Sequence, residues 1–182
     1  MRRLILCLIV MGAAPSAFAQ KTLQTPLSPA AVLSLATRAA HAAQPHLEDG
    51  VSTMVQEMAT HYRDGAPQTG DVVNEKALAA VIKSETEAFT PLLWDGMARV
   101  YTETYSINEL NALLDYYNDH PGDPSLLPAA LTAKNGELER RQRDLIGALA
   151  PRVLQDFFGD YCSRVACTDT IRLAAGLPVH AR

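Results

Sequence analysis

A chain of 182 residues, 48% of them hydrophobic and 20% charged, carries enough apolar material for one folded domain and too little bias for a disordered or fibrous polypeptide. Its formal charge of −4, from 16 basic and 20 acidic side chains, excludes the broad basic surface that neutralises nucleic-acid phosphate or an anionic membrane.

The first segment reads as an export signal. Arg2 and Arg3 supply a positive start, residues 4–11 an apolar stretch, and Ala17-Phe18-Ala19 the small-x-small pattern of a cleavage site, with the cut before Gln20. The apolar run over residues 4–14 is too short to cross a bilayer as a helix, which takes about 20 residues, so no membrane anchor is expected after cleavage. Cys7 lies inside that run behind the bulky Leu6, which argues against lipidation. Residues 1–19 are therefore expected to be a signal peptide and residues 20–182 a single helical domain with a flexible tail from Gly176. Loss of Arg2 and Arg3 leaves 14 basic against 20 acidic side chains, a formal charge of −6.

Ser28 before Pro29 reads as a helix cap followed by a first-turn proline, and predicts a helix over 30–44 whose face of Val32, Leu35, Ala36, Ala39 and Ala43 is apolar but small. Helical spacing resumes at Val51, Met54, Val55, Met58 and Tyr62, and Asp64-Gly65, Pro67 and Gly70 predict a mobile loop after it. A third helix is predicted over 71–89, with Thr90-Pro91 restarting or kinking the chain before Trp94, Met97, Val100 and Tyr101. Ser106-Ile107-Asn108-Glu109 is a capping box, and behind it Ile107, Leu110, Leu113, Leu114 and Tyr117 share one helical face that ends at His120-Pro121-Gly122. A short helix over 125–134, a break at Asn135-Gly136 and a last long helix over 137–158, bent at Pro151, complete the pattern. With no alternating strand-length runs, this is an all-α bundle of six to seven helices.

Cys162 and Cys167 remain as an even pair after Cys7 is lost, and in an oxidising compartment they are expected to form a disulfide. Five helical steps rise about 7.5 Å, beyond the usual Cα separation of a disulfide, so the segment between them must leave regular helix. So short a ring contributes about 2 kcal/mol in the loop-entropy model.

Candidate chemistry is sparse. Glu57 and His61 sit four apart on one helix and are the weak metal-ligand candidates, while Pro45 between His41 and His46 leaves their geometry unreadable from spacing. Glu85, Glu87, Glu103, Glu109 and Asp115 are ordinary members of an acidic helical surface, and Ser106 is better explained as a cap than as a nucleophile. Tyr101, Tyr105, Tyr116 and Tyr117 form the richest aromatic cluster, read as packing with a ligand groove as the alternative. No glycine-rich phosphate loop, dinucleotide fingerprint or other cofactor signature is present.

Trp94-Asp95, Val100-Tyr101-Thr102-Glu103, Ser106-Ile107-Asn108-Glu109-Leu110 and Tyr116-Tyr117-Asn118-Asp119-His120-Pro121-Gly122 follow in an order that resembles the exported bacterial family known as domain of unknown function 2059. The resemblance spans residues 94–131, about a quarter of the mature chain, and departs from the family where Pro121-Gly122-Asp123-Pro124 is compressed. It implies a helical, exported protein, and marks Ser106, Glu109, Leu110, Tyr117, Pro121 and Gly122 as a structural motif. The resulting expectation is a periplasmic, non-enzymatic protein that binds an envelope protein or peptide. The alternative is a small-molecule or metal-binding protein, or a hydrolytic enzyme, with a tyrosine-lined pocket. N-terminal sequencing of protein recovered from the cell envelope is expected to begin at Gln20; a sequence starting at Met1 would remove the export reading.

Overall fold

Ser28 opens the first helix as its neighbours dictate: its hydroxyl accepts the Ala31 amide proton at 3.2 Å, and Pro29 occupies the first turn of α1 (Pro29–Ala43). The computed structural model describes residues 27–179, so the export segment with Ala17, Ala19 and Gln20 lies outside it. Among the described residues six helices follow α1: α2 (Leu47–Thr69), α3 (Glu75–Thr104), α4 (Ile107–Asp119), α5 (Ala129–Thr132), α6 (Asn135–Arg164) and α7 (Asp169–Ala174). The described residues contain no strand, and the fold is the expected all-α bundle.

The small face of α1 does what its composition allows. Ala36, Ala39 and Ala40 are wholly buried beside Leu35, and α1 packs on both α3 and α4. The spine is α3, whose 30 residues extend about 45 Å and pack against α1, α2, α4 and α6. It joins two clusters. One gathers Leu35, Phe89, Leu93, Trp94, Met97, Tyr101, Leu110, Leu113, Leu131 and Val153; the other gathers Val55, Ala59, Tyr62, Leu78, Val81, Phe157, Tyr161 and Ile171.

Several expected breaks are absent. The loop predicted from Asp64 is helix instead: α2 runs through Gly65 and Pro67 and stops at Gly70, which takes the left-handed conformation at φ 76°. Ala66, 1% exposed in the second cluster, holds that turn against the core, where burial outweighs the local punctuation. Pro91 neither restarts nor ends α3. Asn135-Gly136 forms the first turn of α6 rather than a break, and the helix expected over 125–134 shrinks to the single turn of α5. α6 also continues past Phe158 and Gly159 to Arg164, because Tyr161 is buried and its hydroxyl accepts the Asn74 amide proton at 2.9 Å.

Cys162 thus lies in the last turn of α6, not in a loop. The chain turns extended at Val165, bringing Cys167 to a Cα separation of 5.4 Å from Cys162 with the sulfurs at disulfide distance. The short helix α7, which no local pattern announces, buries Ile171 beside this pair. The tail expected to be loose is tied as far as Pro178: Gly176 caps α7 at φ 66°, the Leu177 amide donates to the Arg172 carbonyl and the Arg172 guanidinium donates to the Pro178 carbonyl.

The motif read between Ser106 and Gly122 is a set of joints. Ser106 and Glu109 exchange both bonds of the capping box. Lys134 then donates to the Glu109 carboxylate at 2.7 Å and to the Thr104 carbonyl at 3.0 Å, tying the end of α3 to the start of α4. That ammonium, with the Ser106 amide and hydroxyl, holds the Glu109 carboxyl down to about 2. Gly122, at φ 69°, donates its amide to the Ala42 carbonyl and joins the end of α4 to the end of α1. A Cβ there would meet the Pro45 ring at 3.1 Å. Gly122→Ala is therefore expected to cost about 1–2 kcal/mol and lower Tm by about 2–8 °C, whereas Gly50→Ala, helical with open space around it, is expected to be neutral or stabilising. Equal melting temperatures for the two variants would contradict this assignment.

Candidate functional site

α2 and α6 both pack beside α3, and their far ends close on each other through Tyr62, whose ring meets Phe158 at 5.6 Å and Tyr161 at 5.0 Å between centroids. Between the middles of the two helices an open groove of about 510 Å³ remains. Met54 and Met58 form its α2 wall; Gly147, Ala150, Pro151, Val153 and Leu154 form its α6 wall. The lining is nearly all apolar, and Leu154 is 42% exposed. Pro151 offers no N–H to the Gly147 carbonyl four residues earlier, so this wall carries one main-chain acceptor without its usual helical donor.

The helix that supplies the methionine wall is acidic. α2 contains Glu48, Asp49, Glu57 and Asp64 against one arginine, and that arginine, Arg63, is held bidentately by Glu75 of α3. On α6 the charges cancel locally: Arg140, Arg141, Arg143, Arg152 and Arg164 each pair with a carboxylate. Glu57, exposed between Met54 and Met58 in sequence, makes no ion pair among the described residues.

The other residues that the sequence offers for chemistry are distributed differently. Glu57 and His61 are exposed on α2, and among the described residues no group of three acidic, histidine or cysteine side chains is placed to hold a metal. His41 stacks on Trp94 at 3.5 Å, and the indole N–H donates to Glu48, whereas His46 faces Asp49. Tyr101, Tyr105 and Tyr117 are buried in the first cluster, and burial pushes the Tyr105 phenol up to about 12 and the other two upward. Tyr116 is half-buried; its hydroxyl accepts the Leu126 amide proton and its ring stacks on His120. These tyrosines are packed together, not arranged around the groove. Leu110 is wholly buried, and Pro121 and Gly122 are exposed at the α4 end.

The α2 wall is visible in the sequence as a helical face carrying Met54, Met58 and Tyr62. The α6 wall escapes that reading, although Gly147, Ala150 and Pro151 at spacings of three and four on a helix otherwise rich in charge mark a small, uncharged stripe. Comparison with family models, with curated proteins and with solved structures finds no match for the chain.

On the other flank of α6, Glu85 of α3 is 9% exposed and has no hydrogen-bond partner among the described residues, beside Phe89, Leu149, Arg152, Val153 and Asp156. Burial first, then the Asp156 and Asp160 carboxylates, pushes its carboxyl upward. The folded protein therefore holds this proton more tightly than the unfolded chain does. Stability from this group is complete below the ordinary glutamate range and is lost as pH rises through the raised value. Glu85→Gln is expected to raise Tm at neutral pH, with the gain shrinking toward zero near about pH 4. A gain that stays constant across that range, read by circular dichroism melts, would refute the assignment.

Proposed function

We propose that this protein is an exported, non-enzymatic binding protein whose α2–α6 groove takes up an amphipathic, positively charged helical segment of another envelope protein or peptide. The observation that supports it most is the apolar groove itself, open to solvent and bounded by two unbranched methionines on one side and small residues on the other. Methionine adapts to irregular apolar partners, and small residues let a helix approach closely. The acidity of α2, with exposed Glu57 next to Met58 in sequence and outside every ion pair of the described residues, suits a segment that carries basic residues. The disulfide-distance pair Cys162 and Cys167 accords with a protein working outside the reducing cytoplasm. No helix among the described residues is long and apolar enough to cross a membrane. The resemblance to the exported family over residues 94–131 points the same way.

The alternative of a tyrosine-lined small-molecule or metal site draws nothing from the burial of Tyr101, Tyr105 and Tyr117 or from the isolated Glu57 and His61. A labelled helical peptide of leucine and lysine, titrated by fluorescence anisotropy, is expected to bind, and a leucine and glutamate peptide of equal length is expected not to. Leu154→Glu, at an exposed position where folding tolerates the change, is expected to weaken binding at least about tenfold, or 1.4 kcal/mol, with an unaltered helical spectrum. Equal affinity for both peptides, or unchanged affinity in the variant, would overturn the proposal.

A further inference from the structure

The groove contains chemistry that apolar contact alone does not use. Two thioethers, Met54 and Met58, stand one helical turn apart on its wall, both only partly buried. Met97, the third methionine of the described residues, is 2% exposed in the first cluster, sealed among Leu35, Trp94 and Tyr101. A small neutral oxidant therefore reaches the first two and not the third.

We propose that Met54 and Met58 are a paired oxidation site, and that their conversion to sulfoxides by a hydroperoxide closes the groove to apolar ligands; this rests on the docking reading given above. In each step the sulfur lone pair attacks the terminal peroxide oxygen and the O–O bond breaks. The terminal oxygen is transferred to sulfur, its proton passes to the departing oxygen, and that oxygen leaves as water from hydrogen peroxide or as an alcohol from an organic hydroperoxide. The thioether is oxidised to the sulfoxide and the peroxide is reduced, so no further reactant is required. The product is polar and a strong hydrogen-bond acceptor.

The groove cannot satisfy that acceptor. Its lining is nearly all apolar, and Pro151 supplies no N–H, which leaves the Gly147 carbonyl without its helical donor and adds none for the sulfoxides. An apolar helix face seated there would bury two sulfoxide oxygens without donors, which costs more than the apolar contact returns. Met54 and Met58 are only partly buried at the margin of the clusters, whose wholly buried members Val55, Leu78, Val81 and Phe157 hold the helices, so the helical fold is expected to survive oxidation.

The test uses the full mature chain and hydrogen peroxide. Peptide mass spectrometry along a time course is expected to show oxygen added at Met54 and Met58 about tenfold faster or more than at Met97, with helical circular dichroism retained. The oxidised protein is expected to bind the leucine and lysine peptide at least about tenfold more weakly, and a methionine sulfoxide reductase to restore binding. In the double variant Met54→Leu, Met58→Leu, whatever its affinity, peroxide is expected to leave the affinity for the peptide unchanged. Oxidation of all three methionines at one rate, or full oxidation at positions 54 and 58 with affinity unchanged, would overturn the proposal. If the untreated protein binds no peptide, the docking reading fails and takes the closing of the groove with it; the oxidation rates then decide the paired site alone.

Discussion

The continuity of α3 is the constraint on which the remaining structure depends. Pro91 removes one backbone donor from the middle of this helix, a change that costs about 3 kcal/mol in an isolated helix and commonly ends one. The helix persists because both halves are anchored in different places. Leu78 and Val81 are wholly buried on one side of the proline, and Phe89, Leu93, Met97 and Tyr101 are buried around and beyond it. Pro91 itself is exposed, so its ring meets solvent and not a neighbouring helix. Ending α3 there would separate the two clusters and leave α2 and α6 without a common support, and the summed burial of these side chains exceeds the loss of one hydrogen bond several times over.

With that spine fixed, the remaining helices are held by joints at their ends as much as by their faces. Lys134 is the clearest case. One ammonium satisfies a last-turn carbonyl of α3 at Thr104 and the carboxylate that closes the α4 cap, two groups that would otherwise compete for solvent at a sharp corner. The Gly122 amide serves α1 in the same way through the Ala42 carbonyl. Close approach also matters along the helices: a Cβ at Gly96 would stand 2.5 Å from a Leu145 methyl, so α3 and α6 come together where α3 lacks a side chain. The signature between Trp94 and Gly122 is therefore explained by chain reversal and packing, without reference to a reaction.

The features legible in the sequence are those whose physics is local. Ser28 with Pro29 and Ser106 with Glu109 cap helices through atoms three residues away, and both caps form as read. The requirement that the chain leave helix between Cys162 and Cys167 follows from rise per residue alone, and Val165 meets it. The illegible features are those decided at long range. Gly65, Pro67, Asn135, Gly136 and Gly159 all carry loop propensity, yet each lies in helix beside residues that the tertiary fold buries or pairs, such as Ala66 and Tyr161. The groove is half legible for the same reason. Met54 and Met58 show helical spacing in one window, but their opposite wall begins almost ninety residues later, and no local pattern states that two helices stand side by side on a third.

That arrangement also explains why the groove can exist without collapsing. Its width is set by the seating of α2 and α6 on α3, through Val55 and Ala59 on one side and Val153 and Phe157 on the other, all nearly or wholly buried. Apart from Val153 the lining residues leave most of that seating to wholly buried neighbours such as Val55 and Phe157, so Gly147 and Ala150 are free to be small and Met54 and Met58 free to be flexible. Further along, Tyr62 meets Phe158 and Tyr161, so the two helices that stand apart at Met54 and Met58 touch again without any lining residue having to draw them together.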